Sequence, residues 1–144
     1  MKFAIFALTF ASLLPAQVAS NPVDAAAQLV AQGRITAQVE DSQAALPIFK
    51  KATETDAKNA QAWYELGMCQ GRLGQQAAKV VSLERAVALQ PTNTSARHQL
   101  VLALRILGRT QDTQAQLTEL KKYDPALAAG IERNITSPTQ VASR

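Results

Sequence analysis

Apolar positions along most of this chain fall at helical and not strand spacing. Between Ala60 and Arg72, the residues Trp63, Leu66 and Cys69 or Gln70 recur every three to four positions, which predicts one helix. Gly74 follows, where a left-handed residue can end a helix. From Gln75 to Leu89 a second helix is predicted, with Val80, Leu83 and Val87 on one face and Pro91 as its stop. Asn93 and Thr94 then offer a cap for the next helix. The same order returns downstream: Leu100, Leu104 and Leu107, then Gly108, then Leu117, Leu120 and Pro125.

The recurrence has a fixed period. At a shift of 34, Gly74 lands on Gly108, Pro91 on Pro125, Ala62 on Ala96, Leu66 on Leu100 and Leu83 on Leu117. Backwards, Gly67 falls on Gly33, Leu83 on Phe49 and Ala86 on Ala52. Three helix-turn-helix units follow without insertions, over about 26–59, 60–93 and 94–127. Residues 126–134 read as a capping helix over the third unit, and 136–144 as a polar, frayed tail.

The period, with Trp63-x2-Leu66-Gly67, Ala86 and Pro91 in the middle unit and Ala45-x3-Phe49 in the first, resembles the tetratricopeptide repeat (TPR). The resemblance implies an all-α, right-handed α-solenoid of about three units, a domain over 21–135 with the cap included. It gives small residues, such as Gly33, Ala45, Ala52, Gly67 and Ala86, to the contacts between paired helices. It gives Phe49, Trp63, Leu83 and Leu117 a wedge role between units. The chain also departs from the pattern. Gln70 stands at the tyrosine position, Lys79 and Thr113 at the small position of the second helix, Arg97 at the tryptophan position and Val101 at the glycine position. The first unit has Glu40 where the others have glycine, and Pro47 lies early in its second helix.

Composition agrees with helices in close contact. Of 144 residues, 47% are apolar and only 5% aromatic, and alanine alone occurs 27 times. The first twenty residues stand apart. Lys2 leads an apolar run from Phe3 to Leu14, Pro15 ends it, and small residues precede Asn21. That is the layout of a secretory signal peptide over 1–20, with a retained membrane-tethering helix as the alternative. It predicts an exported chain, periplasmic or secreted. Without Lys2, 14 Lys and Arg face 11 Asp and Glu, a charge of +3. This falls short of the clustered positive charge that nucleic acid requires.

Catalytic chemistry finds no constellation. His98 is the one histidine and has no second ligand at metal spacing, no phosphate loop is present, and the carboxylates are scattered. The expectation is no enzyme, no cofactor and no metal. Cys69 allows no internal disulfide and reads as a buried, inert thiol, since no basic cluster surrounds it. Asn93-Thr94-Ser95 and Asn134-Ile135-Thr136 match the glycosylation triplet, with helix capping as the simpler role for Asn93.

Function is therefore expected in binding. In the TPR family the first helices line a concave groove that takes an extended peptide or a partner helix. The first unit offers Val30, Arg34 and Gln38 there; the middle unit Gln61, Tyr64, Met68 and Arg72; the third Ser95, His98, Leu102 and Arg105. Arginines bind carboxylates bidentately, so the expected partner is a protein or peptide, with an acidic segment favoured. The alternative for these arginines is a solvated face. Val30, Arg34, Glu65, Ser95 and Gln99 do not match the family's carboxylate clamp. The reading is an exported adaptor or assembly scaffold. The alternative is a structural protein that self-assembles through its solenoid ends.

Overall fold

The computed structural model describes residues 21–39 and 41–136, so the predicted signal segment, Glu40 and residues 137–144 lie outside the described residues. Among the described residues there are seven helices and no strand: α1 (Pro22–Val39), α2 (Ser42–Thr55), α3 (Ala60–Arg72), α4 (Gln76–Leu89), α5 (Thr94–Ile106), α6 (Thr110–Tyr123) and α7 (Pro125–Thr136). No described helix is long and apolar enough to cross a membrane.

Two kinds of local signal set the ends. Asp41, Asn59, Asn93 and Asp124 each accept a hydrogen bond from the backbone N–H three residues on, at 2.7–2.9 Å, and start α2, α3, α5 and α7. The turns inside the second and third units instead use glycine. Gly74 and Gly108 sit at φ 74° and 69°, and the N–H groups of Gln75 and Arg109 reach back to the carbonyls of Gln70 and Leu104 at 2.9 Å. This Schellman closure needs a left-handed residue, which only glycine supplies without strain. Pro47 lies in the second turn of α2, where its missing N–H costs one bond to the carbonyl of exposed Gln43.

Each helix packs on its chain neighbours, and α1 also meets α3 directly. The odd and even helices therefore form two layers of an α-helical repeat solenoid. Trp63 packs against two cores, one that contains Leu83 and Leu100 and one that contains Phe49 and Leu66. Gly67 lets Leu83 of α4 approach α3, since a Cβ there would lie 3.0 Å from the Leu83 Cγ. Two departures from the repeat pattern, Gln70 and Arg97, are buried and make side-chain hydrogen bonds, although Arg97 Nε has no partner. Gln70 accepts a bond from Ser82 at 2.7 Å. Arg97 donates to Gln116 at 2.7 Å and to the Pro91 carbonyl at 3.0 Å, and lies over the Tyr123 ring.

Candidate functional site

The groove expectation rests on the outward side of α1, α3 and α5. Most of the residues expected there are at least half-exposed: Arg34, Gln38, Gln61, Arg72 and Arg105 are exposed, and Tyr64, Met68, His98 and Leu102 are half-buried. Val30 is corrected. It is buried with Ala52 and Ala62, because it falls on the α1 face that packs against α2 and α3.

Three of the expected residues meet in one place. Arg34, Gln38 and Arg72 line a cleft of about 220 Å³ between α1 and α3, with Ala37, Phe49 and Glu65. Glu65 was not among the expected groove residues, and it changes the charge of this cleft. Arg34 Nε donates to Glu65 Oε1 at 2.7 Å, and Gln61 Nε2 donates to the same oxygen at 2.9 Å. Arg34 is thereby matched. Arg72 forms no ion pair among the described residues.

Arg105 does not join that cleft. With Leu102 and Ile106 it borders a separate hollow of about 350 Å³ along α5. Arg105 also lines a cleft of about 210 Å³ with Gly108, Thr110, Thr113 and Ile135 of α7. Ile106 is 65% exposed, an apolar side chain in the open, and sequence reasoning passed over it. The period contained the signal: Ile106 is Arg72 shifted by 34, as Leu102 is Met68 shifted by 34.

The electrostatics are set by burial. Lys79 of α4 is buried, and its Nζ donates to Gln99 Oε1 of α5 at 3.1 Å. Burial pushes its pKa below the usual lysine value, because the charged form loses water. Burial pushes the Cys69 thiol up; the nearby Arg72 opposes that and Asp41 adds to it. The thiol donates to the Ser42 carbonyl at 3.0 Å. A raised pKa leaves little thiolate, so this is a packed side chain and a poor nucleophile. Among the described residues, no cluster of three or more His, Cys, Asp or Glu could hold a metal ion.

Comparison with known proteins bears on the fold. The tetratricopeptide-repeat family profile matches residues 48–80, from within α2 to the start of α4. Solved structures align over most of the chain at low identity. The first TPR domain of Spaghetti (RPAP3), bound to the HSP90 peptide SRMEEVD, has a TM-score of 0.71 at 19% identity, covering 78% of this chain and 91% of that one. The TPR domain of Arabidopsis OM64 has 0.70 at 15%, covering 79% and 96%. YrrB, described as a TPR protein with an unusual peptide-binding site, has 0.67 at 16%, covering 75% of this chain; the chain spans 57% of the length of YrrB. No curated protein matches the sequence.

Proposed function

We infer that this chain, a tetratricopeptide-repeat protein, is a protein–protein interaction module that receives an extended segment or helix of a partner along α1, α3 and α5. One observation carries the reading. The outward side of the odd helices combines an unmatched Arg72, half-buried Tyr64, Met68 and Leu102, and the exposed Arg105 and Ile106. Aromatic and arginine anchors in partly desolvated surroundings are what hot spots are made of. Peptide-bound relatives of the same fold support it, RPAP3 with its HSP90 peptide among them.

The location is part of the proposal. Residues 1–20 have the charged head, short apolar run and small residues of an export signal, so the module works in the periplasm or outside the cell as an adaptor or assembly scaffold. N-terminal sequencing from the native host checks this: a chain that still begins at Met1 refutes cleavage.

The binding reading is tested by crosslinking capture from the native envelope, then titration of the captured partner against the parent and two variants, Tyr64→Ala and Arg72→Ala. Each variant is expected to lose about 2 kcal/mol of affinity, roughly thirtyfold. Unchanged affinity in both, with helicity intact, moves the site to the convex face or the solenoid ends.

A further inference from the structure

The odd helices are not evenly spaced. α1 meets α3 directly, whereas α3 and α5, and α5 and α7, make no comparable approach. Two positions recur at these junctions, one late in each odd helix and one early in the even helix that follows. They hold Ala37 and Ala45 at the first junction, Gly71 and Lys79 at the second, and Arg105 and Thr113 at the third, each pair 34 residues after the one before. Ala37 packs against the cluster that contains Ala45. Gly71 lies against Lys79. Arg105 and Thr113 line one open cleft. The odd helices meet only where both residues are alanine; one long side chain in the pair goes with separation.

At the second junction that side chain belongs to Lys79 of α4, and it lies inside the protein. A Cβ on Gly71 would stand 2.8 Å from Lys79 Cδ and 3.3 Å from its Cε and Nζ, so the stem passes over α3 at the one residue that leaves it room. The ammonium donates to Gln99 Oε1 of α5 at 3.1 Å. One side chain of the even layer thus touches α3 with its stem and α5 with its head. The residue is only 8% exposed, and its ammonium forms no ion pair among the described residues. An ammonium has three donors and the amide of Gln99 is neutral, so the charge weighs against stability. The hydrogen bond instead fixes where the stem lies. A stem fixed between two helices keeps them from closing, because a packed interior does not yield to an extra chain of methylenes.

We propose that Lys79 is the spacer of the groove: pinned between Gly71 and Gln99, it holds α3 away from α5, sets the width between Met68 and Leu102, and so decides which partner segments fit there. Its hold on the helices is independent of the groove reading above; its effect on partner choice rests on that reading. The effect is one of shape. Met68 and Leu102 are equivalent positions of α3 and α5, 34 residues apart, and a partner side chain lodged between them meets a gap whose width the buried lysine sets from behind.

Crystal structures of the parent, Lys79→Met and Lys79→Ala read the spacing. Lys79→Met keeps the length of the stem and should leave α3 and α5 in place, with a thermal melt level with the parent or higher. Lys79→Ala carries the residue that the first unit has at this place. It should bring the two helix axes closer by at least about 1 Å, toward the roughly 8–10 Å of helices in direct contact. Helices unmoved in Lys79→Ala overturn the spacer. So does an equal shift in Lys79→Met, a result that stays readable if the alanine variant does not fold. Partner choice is probed with peptides selected on the parent from a random phage-displayed library and kept where Tyr64→Ala weakens them. These should bind Lys79→Met within about threefold of the parent and lose about tenfold or more on Lys79→Ala. Equal binding to parent, Met and Ala proteins overturns the role in partner choice, while the dependence on Tyr64 upholds the groove reading. If no selected peptide depends on Tyr64, the groove reading fails and the role in partner choice falls with it; the crystal structures decide the spacer in either case.

Discussion

Gly33→Ala is the sharpest test of the packing. A Cβ added at Gly33 would stand 2.6 Å from Cε1 of Phe49 and 2.9 Å from its Cδ1 and Cζ. Ordinary carbon contacts lie at about 3.5–4.0 Å, so the ring must retreat by roughly 1 Å. It has little room to do so. Phe49 is 1% exposed and is enclosed by Ala45, Leu46, Leu66 and Cys69. Overpacking of this kind costs about 1–3 kcal/mol. Alanine returns about 1 kcal/mol of helix propensity. At a contact as short as 2.6 Å the cost falls in the upper part of that range, about 2–3 kcal/mol, so the net loss is about 1–2 kcal/mol, or roughly 4–8 °C in Tm for a domain of this size. Gly67→Ala provides the comparison. There the nearest atom is Leu83 Cγ at 3.0 Å, on a side chain that can give by a few tenths of an ångström. Squeeze and propensity nearly cancel, and the melt should move by less than about 2 °C. Thermal melts followed by circular dichroism read both. A Gly33→Ala protein that melts with the parent or above it would show that the ring swings aside freely, and the closeness of α1 and α2 would have been misjudged.

Two other substitutions probe the buried polar groups. Arg97→Ala strands Gln116 and the Pro91 carbonyl and should cost about 2 kcal/mol in urea unfolding, whereas Arg97→Trp should recover part of it by restoring a flat side chain with a donor; equal losses in the two would refute the shape argument. Burial holds the Lys79 pKa in the folded chain below the usual lysine value of 10.5, so in the window between the two the unfolded state holds more protons and stability rises with pH. The burden that the lysine places on the fold is complete below the depressed pKa and is gone above 10.5. The stability gap between parent and Lys79→Met should therefore narrow as pH is raised from neutrality through that window; a gap independent of pH would show that the ammonium is not desolvated.

Helix placement was legible because its signals are local. Asn59, Gly74, Pro91, Asn93 and Gly108 act through one or two turns of backbone, and a 34-residue period states them more than once. The boundary of α3 follows directly, and α4 begins at Gln76 because Gln75 completes the turn after Gly74. The substitution at Arg97 was visible as a departure, but its reason was not. Trp63 Nε1 donates to the Ala57 carbonyl at 2.9 Å, and Arg97 Nη2 donates to Pro91, the carbonyl 34 residues later. A guanidinium reproduces the flat shape and the terminal donor of an indole. Pattern matching by residue type scores that as a mismatch, while the geometry treats it as an equivalent.

The groove was harder to read for a related reason. Sequence periodicity assigns a side chain to the face on which its Cα lies, and two residues escape that rule. By position Glu65 is a mismatch to the family's clamp, yet it is the counter-ion that pairs with Arg34. By position Lys79 is an oversized residue in a helix contact, yet its length carries the ammonium past Gly71 to Gln99 of α5. Glycine at 71 and lysine at 79 make sense together: one opens the gap that the other fills. Neither pairing is periodic, since the shift of 34 puts Arg105 at the place of Gly71 and Thr113 at the place of Lys79. What repeats in this chain builds the solenoid. What fails to repeat sets the charge beside α1, α3 and α5, through the Arg34–Glu65 pair and the buried Lys79.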